Sequence, residues 1–368
     1  MKKTLALLLA ITMVLALAAC APAVTTAPAV TTTTAAPSDG TTAPVTIDPL
    51  EIKFSSTYQE NETGGVVLKK FIEQLETLSG GAVTVNMAWG GTLFDPISQL
   101  DGVIDGAVDM IALGHMPHMD TLPSLSFPAF APVSAQNAVD YFNEIMFTNT
   151  ETSAIVQAEA AKLGIKYLNV IAGGANAFCA KYAFTDLQTL VDGSTTFGNF
   201  DAAPFEAIGL NVTPMAPPDT YDAIQRGMID ATQMALAPMT MLSWYEVAPY
   251  WMLDETYAAG NFFTVNLEWW DGLTKAQQDV IQAASDATEA FSVTMFDESD
   301  AANIAIIEKA TNNKFVQLTE TDSAKWWGAI FEAKAKDALA RAATNNMTAE
   351  MTKILEVAAE FTSYDWKN

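Results

Sequence analysis

The only two histidines in the chain, His115 and His118, stand three residues apart, with Met116, Pro117 and Met119 beside and between them. Two imidazoles and two thioethers would suit a soft or borderline metal ion. Pro117 denies the segment the regular helix that would turn both rings to one side. The alternative reading is a loop in which one histidine hydrogen-bonds a bound molecule. Cysteine is as sparse, at Cys20 and Cys179 only. Cys179 could act as a nucleophile only with an adjacent base and an oxyanion-binding group, and nothing local supplies either; otherwise it is a lone buried thiol. The acidic run Asp297-Glu298-Ser299-Asp300 lacks the ligand spacing of a calcium loop and suits a solvated face. G-x-S-x-G, H-E-x-x-H, P-loop and G-x-G-x-x-G patterns do not occur. These residues point to binding rather than turnover, with no catalytic residue, cofactor or metal expected.

The N-terminus sets the compartment. Met1–Lys3 is a short basic segment, followed by the apolar Thr4–Leu17, which is short for a membrane span. Leu17-Ala18-Ala19-Cys20 has the form of a bacterial lipobox, whose cysteine thiol would carry a diacylglycerol; an ordinary signal peptide that contains a cysteine is the alternative. Residues 21–46 are almost wholly Ala, Pro, Thr and Val, a composition that cannot bury a core and suits a tether. The expected mature protein is therefore extracytoplasmic, in the periplasm or at the cell surface, and lipid-anchored through Cys20. With Cys20 lipidated, Cys179 has no partner for an intramolecular disulfide. Acidic residues outnumber basic ones by 43 to 18, giving a net charge of −25. Nucleic acid and anionic lipid headgroups are thus poor partners.

From residue 47 onward roughly 320 residues remain, which exceeds the usual limit of one core and favours two domains. The order of elements is α/β. Leu50–Ser55 reads as a strand and Gly64–Leu78 as a helix with Val67, Phe71, Leu75 and Leu78 on one face. Ala82–Trp89 follows as a strand, Pro96–Gly106 as a helix and Met110–Leu113 as a strand. The same order recurs later. Asn211–Met215 reads as a strand, Asp219 can cap a helix ended by Gly227, and Met228–Met234 reads as a buried strand. Thr274–Thr311 has no Gly or Pro and predicts one long helix, or two helices broken near Asp297–Asp300.

Within residues 209–250, T-P-M is followed by Y-x-A-x-Q-x-G-x-x-D (Tyr221, Ala223, Gln225, Gly227, Asp230), then Trp244-Tyr245-Glu246-Val247 and Tyr250. This block resembles the core of the substrate-binding proteins of TRAP transporters, the DctP-like group. Ser79-Gly80-Gly81, Gly90-Gly91-x-Leu93, Gly106-Ala107-Val108-Asp109-Met110 and the passage Asn266–Leu273 extend the likeness, with gaps, over most of residues 50–335. The resemblance implies a two-lobed, type II-like periplasmic-binding-protein fold with discontinuous lobes and a long helix spanning both. Lobe one would take residues 47–173 and 261–299, and lobe two 174–260 and 300–368. It implies a receptor that closes on a small organic solute and delivers it to the small and large integral membrane subunits of a TRAP permease. A ligand-presenting sensor of the same fold and a secreted enzyme using Asp95 or His115 are the alternatives.

The departures from the family pattern concern charge. Members that bind organic acids usually carry an arginine that clamps the substrate carboxylate. Here that slot falls at about Ser194–Phe197, and a second arginine slot falls near Asn176. Where the family often has D-G-Q-E-N-P, with a substrate-contacting asparagine, this chain reads Asp230–Ala235 and puts Met234 in that place. Arg226 and Arg341 are its only arginines, expected on helices. Burying a carboxylate without a cationic partner costs several kcal/mol. The expectation is a neutral, partly apolar or cationic solute rather than a dicarboxylate; a lysine such as Lys181, or a helix N-terminus, is the competing carboxylate receptor. Ligands of open α/β sheets bind at the carboxyl ends of strands. The candidate ligand-binding residues are Tyr58, Trp89, Asp95, His115, Asn176, Phe178, Phe197, Asn199, Phe200, Gln233, Met234 and Tyr257. Gln59, Asn61, Gly114 and His118 flank them. Aromatic members of this set could equally be core.

Overall fold

The computed structural model of the protein describes residues 47–128, 134–199, 202–254 and 260–362. The leader, Cys20, the tether, Phe200 and Tyr257 lie outside the described residues.

The first half of the chain builds one sheet. Strand β1 (Leu50–Ser55) leads through a polar loop into helix α1 (Thr63–Ser79), then β2 (Val83–Ala88), a short α2 (Gln99–Ile104) and β3 (Met110–Gly114). Val67, Leu68, Phe71 and Leu75 of α1 are buried, and Phe71 stacks on Phe263 across 4.5 Å. Val67, Phe71 and Leu75 thus pack as the sequence period expects, whereas the fourth expected position, Leu78 in the last turn, is exposed. Two further helices, α3 (Ala135–Asn143) and α4 (Thr150–Lys162), precede β4 (Ile165–Ala172). Helix α2 is shorter than the expected Pro96–Gly106. Asp95 Oδ1 accepts the backbone N–H groups of Ile97 and Ser98, at 3.0 and 2.7 Å, so the residues before Gln99 form a turn held by that carboxylate.

The chain then crosses to a second sheet. It is built from β5 (Asn176–Ala180), α5 (Leu187–Gly193), β6 (Phe197–Gly198), α6 (Ala203–Glu206), β7 (Val212–Thr213), α7 (Pro217–Gln225), β8 (Ala231–Ala235), α8 (Leu236–Met241) and β9 (Tyr250–Asp254). Three expectations need correcting here. Only Val212–Thr213 of the segment Asn211–Met215 pairs as strand. Ala216, not Asp219, sits at the N-cap of α7, without a side-chain cap bond, and Pro217 and Pro218 occupy the first turn. Proline has no N–H to satisfy there and its φ is already helical, so a capping side chain is dispensable. Gly227 does end α7 at φ 71°, but the strand begins at Ala231, with Met228 exposed in the intervening turn.

The return strand β10 (Gly260–Asn266) re-enters the first sheet, followed by α9 (Leu267–Asp271), α10 (Lys275–Thr311), α11 (Glu320–Thr344) and α12 (Thr348–Thr362). The two sheets have matching orders, β2-β1-β3-β10-β4 and β7-β6-β8-β5-β9. Each has a parallel half and a strand that runs antiparallel to both its neighbours, β10 in the first and β5 in the second. The molecule is thus α/β and two-lobed; the first sheet takes its strand β10 from beyond the second, whose own strands all lie within residues 176–254.

Helix α10 is one unbroken helix of 37 residues, about 55 Å long at 1.5 Å per residue. A capping box opens it: Gln277 donates its N–H to Thr274 Oγ1 and accepts that of Thr274. Asn312, at φ 56°, closes it. It packs on α1, α3 and β4 from the first sheet's half and on α8 from the second. Ala284, Ser285, Thr288 and Ser292 are its buried face, and these small side chains let it approach closely. At the crossover between sheets, Asp300 of α10 accepts the Ala175 N–H at 2.7 Å, and burial pushes its carboxyl up to about 6. No break occurs at Asp297–Asp300. Helix α11 also touches both halves: Trp326 meets Phe178 of β5 edge-on, and Arg341 pairs with Asp120 beyond β3. Helix α12 packs on α4. The division that put all of residues 300–368 in lobe two is therefore corrected for the C-terminal helix.

Candidate functional site

Between the two sheets lies a cavity of 660 Å³, within the range of small-molecule sites. One wall comes from strand ends of the first sheet: Tyr58 beyond β1, Gly114 and His115 at the end of β3, and Gly260 and Asn261 at the start of β10. The opposite wall comes from the second sheet. β8 ends at Ala235 and β9 at Asp254, and both pair with Asn176, the first residue of β5. Register alone therefore sets Gln233, Met234, Asn176 and Asp254 along one edge, and Asn199 follows β6. Helices α10 and α11 complete the lining with Phe296, Ser299, Asn303, Ile330 and Lys334.

The second wall is a network of amides and one carboxylate. Asn199 Nδ2 donates to the Gln233 backbone carbonyl at 2.9 Å, and Gln233 Nε2 donates to Asp254 Oδ2 at 2.5 Å. All four polar residues of this edge are buried, and Asn176 Nδ2 has no hydrogen-bond partner. On the first wall, Asn261 Nδ2 donates to the Tyr58 hydroxyl. Burial, aided by the Glu62 charge, raises the Tyr58 phenol well above its usual value, so it stays protonated. His115 packs between Phe142 and Phe262, and its ring bonds the backbone of Gly260. Burial, and then the nearby Lys334 charge, pushes the imidazole down to about 4, so it is neutral at physiological pH. The arrangement offers hydrogen bonds and a few fixed charges inside an apolar lining, without a nucleophile beside a base.

Six of the twelve candidate residues line the cavity, namely Tyr58, His115, Asn176, Asn199, Gln233 and Met234; Asn61 and Gly114 of the flanking set join them, and the remaining described candidates do not. Trp89 packs against the core of the first sheet. Asp95 is the exposed turn carboxylate described above. Phe178 and Phe197 are fully buried: they stack on each other, on Phe205 and, for Phe178, on Trp326. Each lies inside the sheet rather than at its edge, which is why strand order alone misplaces them. His118 is buried and bonds the backbone of Pro96, so the two histidines serve different neighbours. Among the described residues no group of three or more His, Cys, Asp or Glu is placed to hold a metal ion. Cys179 is a buried free thiol, pushed up by burial and far from nucleophilic.

The competing lysine is also reassigned. Lys181 pairs with Asp230, which takes the Thr195 and Thr196 N–H groups as well. Burial opposes ionisation of Asp230, but these bonds outweigh it and hold its carboxyl below the usual range. Neither residue lines the cavity, and neither do Arg226 and Arg341, each engaged with aspartates on its own helix. The lysine in the lining is Lys334. Sequence reasoning missed it, along with Asp254, Asn261 and Phe296. Asp254 ends a strand and was open to the rule that found Gln233; Lys334 sits in mid-helix with no local signal.

Residues 54–338 match the family model described as DctP, bacterial extracellular solute-binding protein, family 7. A solute-binding protein of Roseobacter denitrificans is 24% identical over 315 residues, covering 83% of this chain and 90% of that protein. The C4-dicarboxylate-binding periplasmic protein DctP of Rhodobacter capsulatus is 24% identical over 298 residues, covering 77% and 85%. Among solved structures, an open, ligand-free TRAP periplasmic solute-binding protein from Rhodobacter sphaeroides superposes with a TM-score of 0.75 at 14% identity, covering 85% of this chain and 99% of that one. The chain belongs to the DctP family of bacterial extracellular solute-binding proteins and is a solute-binding receptor of the TRAP type.

Proposed function

We propose that the receptor holds its solute in the cavity between the sheets, does not transform it, and hands it to the small and large membrane subunits of a permease from a lipid anchor at Cys20. The solute is not a C4-dicarboxylate. The observation that carries this reading is the charge of the lining: Lys334 stands against Glu62 and Asp254, and no arginine is present. A dianion entering this cavity meets more negative than positive charge, whereas a solute of zero or positive net charge does not. Contacts to both sheets give the solute a preference for the closed state, which is the physical basis of closure on binding. Calorimetry with succinate and malate should show no micromolar affinity, and a micromolar complex with either would overturn the ligand class. Cys20→Ala should abolish incorporation of radiolabelled palmitate and release the protein from membranes; retention of label would refute the anchor.

A further inference from the structure

The charged groups of the cavity are already engaged within the protein. Glu62 accepts the Gln59 N–H, Asp254 accepts the Gln233 amide, and Lys334 too has a partner. What the lining leaves unmet is uncharged. Among the described residues, only two side chains of the lining bury a polar atom without a hydrogen-bond partner: Asn176 through Nδ2 and His115 through Nδ1. They belong to opposite walls and are 4% and 5% exposed. Asn176 begins β5 between Ala235 of β8 and Asp254 of β9, and Asp300 holds the preceding Ala175 N–H, so its backbone is fixed on both sides. His115 is held between Phe142 and Phe262. Its bond to the Gly260 backbone favours the protonated ring, so the carbonyl accepts there and the neutral imidazole spends its one N–H on it. Nδ1 keeps an unmet lone pair. The cavity thus has one unmet donor on the second sheet and one unmet acceptor on the first.

We propose that the solute is recognised by these two groups: an uncharged amide or alcohol that offers an oxygen to Asn176 Nδ2 and an N–H or O–H to His115 Nδ1. The proposal rests on the cavity being the solute site. Leaving a buried donor or acceptor unpaired costs more than an ordinary hydrogen bond contributes, so a solute lacking either group loses affinity steeply. A carboxylate can pair with Asn176 but has no hydrogen for His115. An ammonium can pair with His115 but has no lone pair for Asn176. A zwitterion pairs both but buries two charges where the protein's own charges are already engaged. Because the two groups come from different sheets, a solute that pairs both also favours the closed state.

A six-carbon series tests this, since its members differ in little but their ends: hexanediamide, hexanedinitrile, hexanedioate, hexane-1,6-diamine and 6-aminohexanoate, each titrated calorimetrically into the full chain. Hexanediamide carries donors and acceptors without charge, and hexanedinitrile carries acceptors alone. The expected result is tightest binding for hexanediamide. Asn176→Leu and His115→Phe should each weaken it by roughly 10- to 100-fold. Hexanedinitrile should lose affinity in Asn176→Leu but not in His115→Phe, whereas a merely structural role for His115 would weaken both compounds. In histidine-labelled protein, hexanediamide should move the resonance of the unprotonated His115 nitrogen and leave those of His118 in place. Unfolding midpoints near wild type would confirm that each variant folds. Tightest binding of the dinitrile, the diamine or 6-aminohexanoate overturns the uncharged, doubly paired solute and leaves the receptor reading intact. Tightest binding of hexanedioate overturns both. Absence of binding by all five at millimolar concentration overturns this inference alone, because the succinate and malate titrations decide the ligand class separately.

Discussion

At the scale of residues, the account turns on which charges face the cavity. Lys181 is spent on Asp230 outside it, so Lys181→Met should leave the affinity for any compound held in the cleft within about twofold. The same change should lower stability by about 1–2 kcal/mol, because Asp230 keeps its buried charge while Lys181 is itself partly exposed. Urea unfolding and calorimetry on one preparation separate the two effects, and a large loss of affinity would return Lys181 to the site. His115 makes a second prediction. Its folded value of about 4 lies below the 6.5 of the unfolded chain, so between these values the unfolded state binds more protons. The stability that comes from keeping His115 neutral is full above pH 6.5 and is lost as pH falls toward 4, at most about 3 kcal/mol. Because the chain has only two histidines, histidine-labelled NMR reads this titration directly. An inflection for His115 near 6.5 in the folded protein would show that it is not buried as described.

At the scale of elements, what could be read from sequence is what local physics settles. The apolar period of α1, the strand at β1 and the Gly- and Pro-free run of α10 each carry their own evidence, and each recurs in the structure. Strands of two residues, such as β6 and β7, carry no period, and they exist only because β8 and the chain after Gly209 give them partners. Strand-end reasoning found Asn176 and Gln233 because strand ends do meet the cleft. It failed for Phe178 of β5 and Phe197 of β6, which pack against Phe205 of α6 and, for Phe178, against Trp326 of α11. Lys334 was illegible because its position depends on how a helix late in the chain crosses a cleft made by earlier strands. Continuity of α10 is testable in its own right. Ala302 is exposed in mid-helix, so Ala302→Pro should cost about 3 kcal/mol or more in urea unfolding. If the helix restarted after Asp300, proline would fall in a first turn and be tolerated, with a loss under about 1 kcal/mol.

For the whole molecule, function follows from topology more than from any single group. Two sheets of matching order, joined by β4-to-β5 and β9-to-β10 crossings and spanned by α10, leave one cavity between strand ends for a solute to bridge. The acidic surface, at a net charge of −25, suits a protein that stays dispersed while it samples solutes outside the cell. No helix among the described residues is long and apolar enough to cross a membrane, so the proposed lipid at Cys20 would carry the attachment. The central claim is that the cavity holds one small solute and that the solute is not a dicarboxylate. Native mass spectrometry of the protein recovered from cells, followed by denaturation and identification of what is released, tests it most directly. The account predicts one organic compound per chain, with no more than one carboxylate. Release of a dicarboxylate would keep the receptor and contradict the reading of its charges, and protein recovered without any bound compound even after incubation with a cell extract would contradict the receptor site itself.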